Sequence, residues 1–151
     1  MSKTLRIIAA LSVAIVVSGC AFLFPPAVTG SVSVDDNNGS NLSSVTVTVG
    51  STGGAVPGLD YELQLANGTS LSASNAVLYA GTIDVPAGST ETATITRAQI
   101  DAYMTAQGEV QNSPGGYYIL LHLDQNDRQP EIFADFLDQQ AESNGQYQWV
   151  P

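Results

Sequence analysis

Apolar and polar residues alternate along much of the chain in short, β-branched runs. The clearest run is 45–49, where three valines alternate with two threonines and leave one apolar face for a core. Segments 30–35 and 59–65 alternate in the same way, and Asn-Gly at 67–68 predicts a tight hairpin turn. Gly, Asn, Asp, Ser and Pro separate the runs, as turn residues do. The pattern predicts a series of half-buried strands.

Further strands are predicted at 76–85, 91–95 and 146–150. Segment 117–124 is apolar on both faces, which predicts a central strand covered on both sides. The Gly-rich segment 50–58 predicts a flexible loop. Segment 131–138 fits either a strand or a helical turn, and its apolar spacing favours the helix.

One segment has helical rather than strand spacing. Thr96 followed by Gln99 has the form of a capping box, and Ile100, Tyr103 and Met104 recur at helical intervals. These residues predict a short crossover helix near 97–106. The whole pattern predicts an all-β fold, an immunoglobulin-like antiparallel β-sandwich of about seven strands. It resembles the immunoglobulin-like modules of bacterial envelope proteins in strand number and patterning.

The first twenty residues have a different character. Lys3 and Arg6 precede an apolar stretch at 7–17, which is about half the length needed to span a bilayer. This stretch ends in Val17, Ser18, Gly19 and Cys20, which resembles the signal of bacterial lipoproteins. The resemblance implies cleavage before Cys20 and acylation of its sulfur. It divides the chain into a signal peptide (1–19), a lipidated tether (20–29) and a β-sandwich domain (30–151).

The residue after Cys20 is Ala21 rather than Asp. In lipoproteins this resembles the class that is sorted to the outer membrane. The implied location is therefore the bacterial cell envelope, with the membrane bound through two or three acyl chains rather than one.

The charge of the chain limits its partners. Residues 20–151 contain all 14 acidic residues but only Arg97 and Arg128 as basic residues, a formal charge of −12. Such a chain has no cluster of Lys and Arg with which to bind nucleic acid. It is also repelled by anionic lipid, so the acyl chains provide the membrane attachment. We therefore expect an envelope protein, rather than a nucleic acid, as its partner.

Two acidic clusters suggest a cation site. Carboxylate and amide oxygens are the ligands that Ca²⁺ prefers, and neither cluster fits the EF-hand loop. The same residue types are also frequent in ordinary turns, so both interpretations stay open. The candidate ligands are Asp35, Asp36, Asn38, Asp124, Asn126 and Asp127.

Aromatic residues near the C-terminus suggest a second kind of site. Tyr147 and Trp149 lie on a predicted strand, where an exposed aromatic face would stack on a sugar ring. The alternative is that Trp149 is a core residue.

Catalysis has less support from the sequence. His122 is the single histidine, and no Gly-x-Ser-x-Gly motif is present. A hydrolase would require a concave pocket that brings His122 beside a serine and a carboxylate. We therefore expect no enzyme. The sequence favours a non-enzymatic, lipid-anchored envelope protein with a structural, adhesive or accessory-subunit role, and the alternative is a calcium- or carbohydrate-binding module.

Overall fold

The computed structural model describes residues 28–109, 113–123, 139–143 and 145–151. These residues form an immunoglobulin-like β-sandwich. Its elements are β1 (Val28–Asp35), β2 (Ser44–Ser51), β3 (Val56–Ala66), β4 (Ala76–Val85), β5 (Thr90–Thr96), α1 (Arg97–Gln107), β6 (Gly115–Leu123), β7 (Gln139–Glu142) and β8 (Tyr147–Trp149). The predicted all-β sandwich is confirmed, with eight strands in the described residues where about seven were expected.

The strands form two antiparallel sheets. The three-stranded sheet has the order β1-β2-β5, and the five-stranded sheet has the order β4-β3-β6-β7, with β8 also paired to β6. The helix α1 joins β5 of the first sheet to β6 of the second, and it packs against β4 and β5. It is the predicted crossover between the two sheets.

Alternation along the strands builds the core between the sheets. Val45, Val47 and Val49 are each 0% exposed, while the intervening threonines of β2 lie on the outer face. On β3, Leu59, Leu63 and neighbouring alternate residues face the core in the same way. The apolar faces that the sequence predicts are therefore the faces that the sheets bury against each other.

The strand β6 is central in the five-stranded sheet, and its outer face is buried at Leu120 but only half-buried at Tyr118 and His122. It lies between β3 on one side and β7 and β8 on the other. Leu120 and Leu121 are both 0% exposed, although successive residues of a strand point to opposite faces. The prediction of a central strand is confirmed, and the predicted cover on both sides is found at Leu120 but not at Tyr118 or His122.

Two predicted loops differ from those in the structure. Strand β3 begins at Val56, so the connection after β2 is shorter than the predicted loop at 50–58. Nine residues, 67–75, separate β3 from β4, and Gly68 is not among the residues with positive φ. The prediction of a tight Asn-Gly hairpin was therefore wrong. The strand β7 was not predicted, and segment 131–138 lies outside the described residues.

The helix α1 begins and ends with the expected caps. Thr96 Oγ1 accepts a hydrogen bond from Gln99 N, and Gln99 Oε1 accepts one from Thr96 N, which completes the capping box. Gly108 ends the helix at φ +72°, in the left-handed region that favours glycine. In the described part of the chain, no helix has both the length and the apolarity needed to cross a membrane.

The two ends of the sandwich carry different segments. Val28 is the Cα partner of Ser51, and the chain continues from Ser51 through a short connection to Val56, where β3 begins. We call this the N-terminal end. The opposite end carries the turn at 36–43, the loop at 67–75 and the start of α1.

Candidate functional site

A groove of about 420 Å³ lies on the outer face of the five-stranded sheet, toward the end opposite Val28. Its floor consists of polar side chains from β3 and β6, and its sides come from the loop at 67–75, from β4 and from the segment just after α1. The lining residues are Glu62, Gln64, Leu71, Ser72, Ala73, Asn75, Val77, Glu109 and His122.

Strand alternation and register assemble the floor. Leu63 and Leu65 face the core, so Glu62 and Gln64 point to the outer face of β3. On the neighbouring strand, His122 is the direct Cα partner of Glu62. Side chains directly opposite each other in an antiparallel pair have Cβ atoms about 5 Å apart. The carboxylate and the imidazole are therefore neighbours, although 60 positions separate them in sequence.

Gln64 attaches the loop to the sheet. Its Nε2 donates to Glu62 Oε1 at 2.6 Å, and its Oε1 accepts from Asn75 Nδ2 at 2.8 Å and from the backbone N of Ser72 at 3.3 Å. The side chain of Gln64 uses both ends of its amide, and the residue is only 6% exposed. The loop at 67–75 is thus held against the sheet by side-chain hydrogen bonds.

The groove carries negative charge. Glu62 and Glu109 both line it, and the ion pair found among the described residues joins Arg97 to Asp101 elsewhere. The negative charge also affects Tyr103 of α1. Burial raises the pKa of its phenol, and the charges of Glu62 and Glu109 raise that pKa further. Both carboxylates therefore disfavour the negatively charged form of the Tyr103 phenol.

The residue types that a hydrolase requires meet in this groove, but their contacts are not those of a triad. Ser72 Oγ lies 2.8 Å from Ser74 Oγ and accepts from Ser74 N at 3.2 Å. Glu62 Oε1 accepts from Gln64 rather than orienting an imidazole. An activated serine needs its hydroxyl hydrogen-bonded to a base, and Ser72 is bound to another serine instead.

The first acidic cluster lies in the turn between β1 and β2. Asp35 Oδ1 accepts from Asn37 N at 3.0 Å, and Asp36 O accepts from Ser40 N and Asn41 N. Asn38 adopts φ +57°, which asparagine tolerates better than most residues. Across the described ranges, no three His, Cys, Asp or Glu side chains form a group able to hold a metal ion. Asp124, Asn126 and Asp127 lie outside those ranges, as does Cys20.

The C-terminal aromatic residues occupy a packed position. Trp149 is 3% exposed and belongs to the core cluster. The guanidinium carbon of Arg97 lies 4.1 Å from the centroid of its ring. Tyr147 is half-buried on β8. The indole therefore contacts core residues and a cation where a sugar platform would need an exposed face.

Arg97 joins three distant segments. Its guanidinium donates to Asp101 Oδ1 at 2.7 Å, to Asn41 Oδ1 at 3.0 Å and to the carbonyl of Val150 at 2.8 Å. The helix start, the turn after β1 and the C-terminal strand are thereby connected. The sequence does not predict these contacts, because Asn41 and Val150 are far from Arg97 along the chain.

Sequence reasoning also missed Glu62, Gln64 and Glu109 as site residues. The alternation at 59–65 places Glu62 and Gln64 on the outer face, which is a usable signal. It does not reveal that β6 brings His122 opposite Glu62, or that Glu109 approaches from the end of α1. The missing information is strand order.

No protein-family model matches the sequence, and no curated protein matches it either. The fold is similar to a crystal structure of the CARDB domain of a Pyrococcus furiosus protein in complex with di-metal ions. The TM-score is 0.51 and the identity 14%, over 83% of this chain and 89% of that one. A solution structure of the same domain gives a TM-score of 0.49 at 18% identity, over 83% and 95% of the two chains. A β-glucosidase from Listeria innocua in complex with glucose gives 0.39 at 18% identity, over 84% of this chain and 17% of the enzyme. Because the identity with the CARDB domain in the crystal structure is 14%, this similarity shows a common fold and nothing further.

Proposed function

We propose that this protein is a non-enzymatic binding module, held on the bacterial cell envelope by acyl chains on Cys20, with an adhesive or accessory-subunit role. The lipoprotein-like segment Val17-Ser18-Gly19-Cys20 supports the anchor, and Ala21 supports the outer membrane as its location. The immunoglobulin-like sandwich supports a binding role, because such a scaffold is rigid and presents its loops and sheet faces to partners.

The position at which β1 begins carries this proposal. Val28 begins β1 at the N-terminal end, and the groove lies along β3 toward the opposite end. A strand rises about 3.3 Å per residue, so Glu62 lies about 20 Å farther along β3 than Val56. A tether from Cys20 to Val28 reaches at most about 28 Å. An anchor at Cys20 would therefore keep Val28 within about 28 Å of the membrane, and the groove and the loop at 67–75 lie toward the end of the sandwich opposite Val28.

The contacts within the groove support a non-enzymatic role. Ser72 is bound to Ser74, and the Glu62 carboxylate is bound to the Gln64 amide. These contacts hold a loop in place rather than activating a nucleophile. A preorganised, polar, open groove suits recognition, in which the ordering of side chains before binding reduces the entropic cost of association.

The anchor is tested by replacing the sulfur. We expect the native protein, expressed in a bacterium with lipoprotein processing, to partition into detergent and to have the mass of residues 20–151 plus acyl chains. Cys20→Ser removes the acceptor atom, so it should abolish the acyl mass and the detergent partitioning. Ser18→Ala is the matched control, because it keeps a small residue before the cleavage site and should be processed normally. A wild-type product without acyl chains would contradict the anchor.

The accessory role is tested on membranes. The wild-type protein, cross-linked in intact cells and purified in mild detergent, should carry a defined envelope protein in constant ratio. The variant Cys20→Ser should lose this partner in cells if anchoring brings the two together. Recovery of the wild-type protein alone after cross-linking would contradict the accessory role and would leave the anchor unaffected.

A further inference from the structure

We propose that the Glu62–Glu109 groove receives a lysine or arginine side chain from an extended segment of a partner protein. The proposal rests on the binding role proposed above and names the chemistry that the groove recognises. The groove has the size of a small-ligand site, since about 420 Å³ lies within the usual range for such pockets.

The charge of the groove favours a cation. Glu62 and Glu109 enter it from different elements, and neither forms an ion pair within the described residues. The basic residue of that part of the chain, Arg97, is already bound by Asp101, Asn41 and Val150. Burial raises the pKa of Tyr103 on α1, and the charges of Glu62 and Glu109 raise it further, which is consistent with a negative potential there. A basic side chain from a partner would bring a positive charge to these two carboxylates.

The groove also has a wall suited to the rest of such a side chain. Leu71, Ala73 and Val77 supply apolar surface beside the carboxylates. Lysine and arginine pack their methylene stems on apolar surface while the charged head makes polar contacts. A bare metal ion or a small ammonium ion would leave this wall unused. A long basic side chain contacts both parts of the lining.

The main acceptor is held in place before binding. Gln64 donates to Glu62 Oε1 at 2.6 Å, which fixes the position of the carboxylate that lines the groove. Gln64 is itself held by Asn75 Nδ2 and Ser72 N. Because the acceptor needs little reorganisation, the entropic cost of fixing it on binding is small. Charge-assisted hydrogen bonds from an ammonium or guanidinium group are also stronger than neutral ones.

The test uses the full-length protein in detergent and three short probes. The first is a blocked pentapeptide with one lysine among four glycines, the second replaces lysine with norleucine, and the third replaces it with glutamate. Binding is followed by the NMR signals of the side-chain amides of Gln64 and Asn75, which report from within the groove. We expect the lysine peptide to shift both signals in a saturable way, and the other two peptides to shift neither.

Matched variants separate the groove from the general acidity of the protein. Glu62→Gln combined with Glu109→Gln should weaken lysine-peptide binding about tenfold. Glu91→Gln removes one charge from β5 of the other sheet. It is therefore the charge-matched control for the single variant Glu109→Gln, and it should change the affinity less than about twofold. The single variant Glu109→Gln provides a second test if the double variant unfolds, because the hydrogen bond of Glu109 within the described residues uses its backbone N.

Three results would overturn the proposal. They are equal binding of the lysine and norleucine peptides, equal loss of affinity in the groove and Glu91→Gln variants, and shifts that spread over the surface without saturating. The test is independent of acylation, since it uses solubilised protein. Failure of the anchor and failure of the groove are thus distinguishable.

Discussion

Tyr61 shows how a single buried phenol is accommodated in the sandwich. It is 3% exposed, and its Cα partner on β4 is Gly81. A Cβ atom added to Gly81 would lie 3.1 Å from Tyr61 Oη and 3.0 Å from Tyr79 Cε1. Tyr61 and Tyr79 have ring centroids 6.2 Å apart, and Tyr79 and Tyr103 have theirs 5.3 Å apart. Glycine at 81 leaves the space that the first two rings of this row require.

Burial of Tyr61 makes stability depend on pH in the alkaline range. Desolvation and then the neighbouring Tyr79 raise the pKa of Tyr61 from 10.0 to about 12. Between pH 10 and 12 the unfolded chain releases the phenolic proton while the folded chain keeps it. The free energy of unfolding therefore falls as pH rises through this window.

We expect Tyr61→Phe to reduce this decline. Urea unfolding from pH 8 to 12 should give a steeper loss of stability above pH 10 for the wild type than for the variant. A tyrosinate absorbance titration should show that the variant lacks the component that titrates near pH 12. Parallel stability curves would contradict a buried, proton-retaining phenol at this position.

At the scale of the element, α1 illustrates how local signals produce a defined helix. The capping box at Thr96 and Gln99 satisfies backbone donors at the start, and Gly108 ends the helix in the left-handed region. Ile100 and Met104 form the buried face. All three features are local, which is why the prediction of 97–106 nearly coincides with the observed helix, Arg97–Gln107.

Removal of the N-cap should destabilise the protein measurably. Thr96→Ala deletes the oxygen that accepts from Gln99 N, and an N-cap change of this kind costs about 1 kcal/mol. Thr96→Ser is the matched control, because it keeps the hydroxyl and should stay within about 0.5 kcal/mol of the wild type. Urea unfolding measures both. Equal stability of the two variants would show that the cap contributes nothing.

The loop after β3 shows the limit of local signals. Asn-Gly at 67–68 is typical of a two-residue hairpin, but the connection to β4 has nine residues. Gln64, Asn75 and Ser72 make the hydrogen bonds that hold this longer loop against the sheet. Specific contacts between the loop and the sheet have overridden the turn preference of the dipeptide.

At the scale of the whole molecule, the approach of β1 to the other sheet depends on one glycine. An added Cβ on Gly30 would lie 2.7 Å from Leu123 Cδ1 and 3.2 Å from Leu121 Cδ2. Leu123 is 1% exposed, so it has little room to move. Gly30 therefore allows β1 to pack closely on the five-stranded sheet.

Gly30→Val should force the sheets apart and lower the free energy of unfolding by about 1–3 kcal/mol. Leu123→Ala alone should cost about 2–5 kcal/mol because it leaves a cavity. The double variant should lose less than the sum, since the valine fills space that the leucine vacated. Gly68→Val is the control, because a Cβ at position 68 meets nothing within 4 Å. Additive losses in the cycle would contradict close packing of Gly30 on Leu123.

The sequence by itself determined most elements of this protein: the alternating strands other than β7, the capped helix and the central position of β6. These follow from periodicity and from hydrogen bonds between near neighbours, and both can be read within a window of a few residues. The expectation of a lipid anchor at Cys20 likewise comes from a local motif.

Only the tertiary structure decided which side chains meet. Strand order placed His122 opposite Glu62, and the crossover helix brought Glu109 to the same groove. The same folding buried Trp149 under Arg97, a residue 52 positions away. These juxtapositions depend on the register and packing of strands far apart in sequence, where many pairings preserve the same alternation. The energy of the complete core selects one of them.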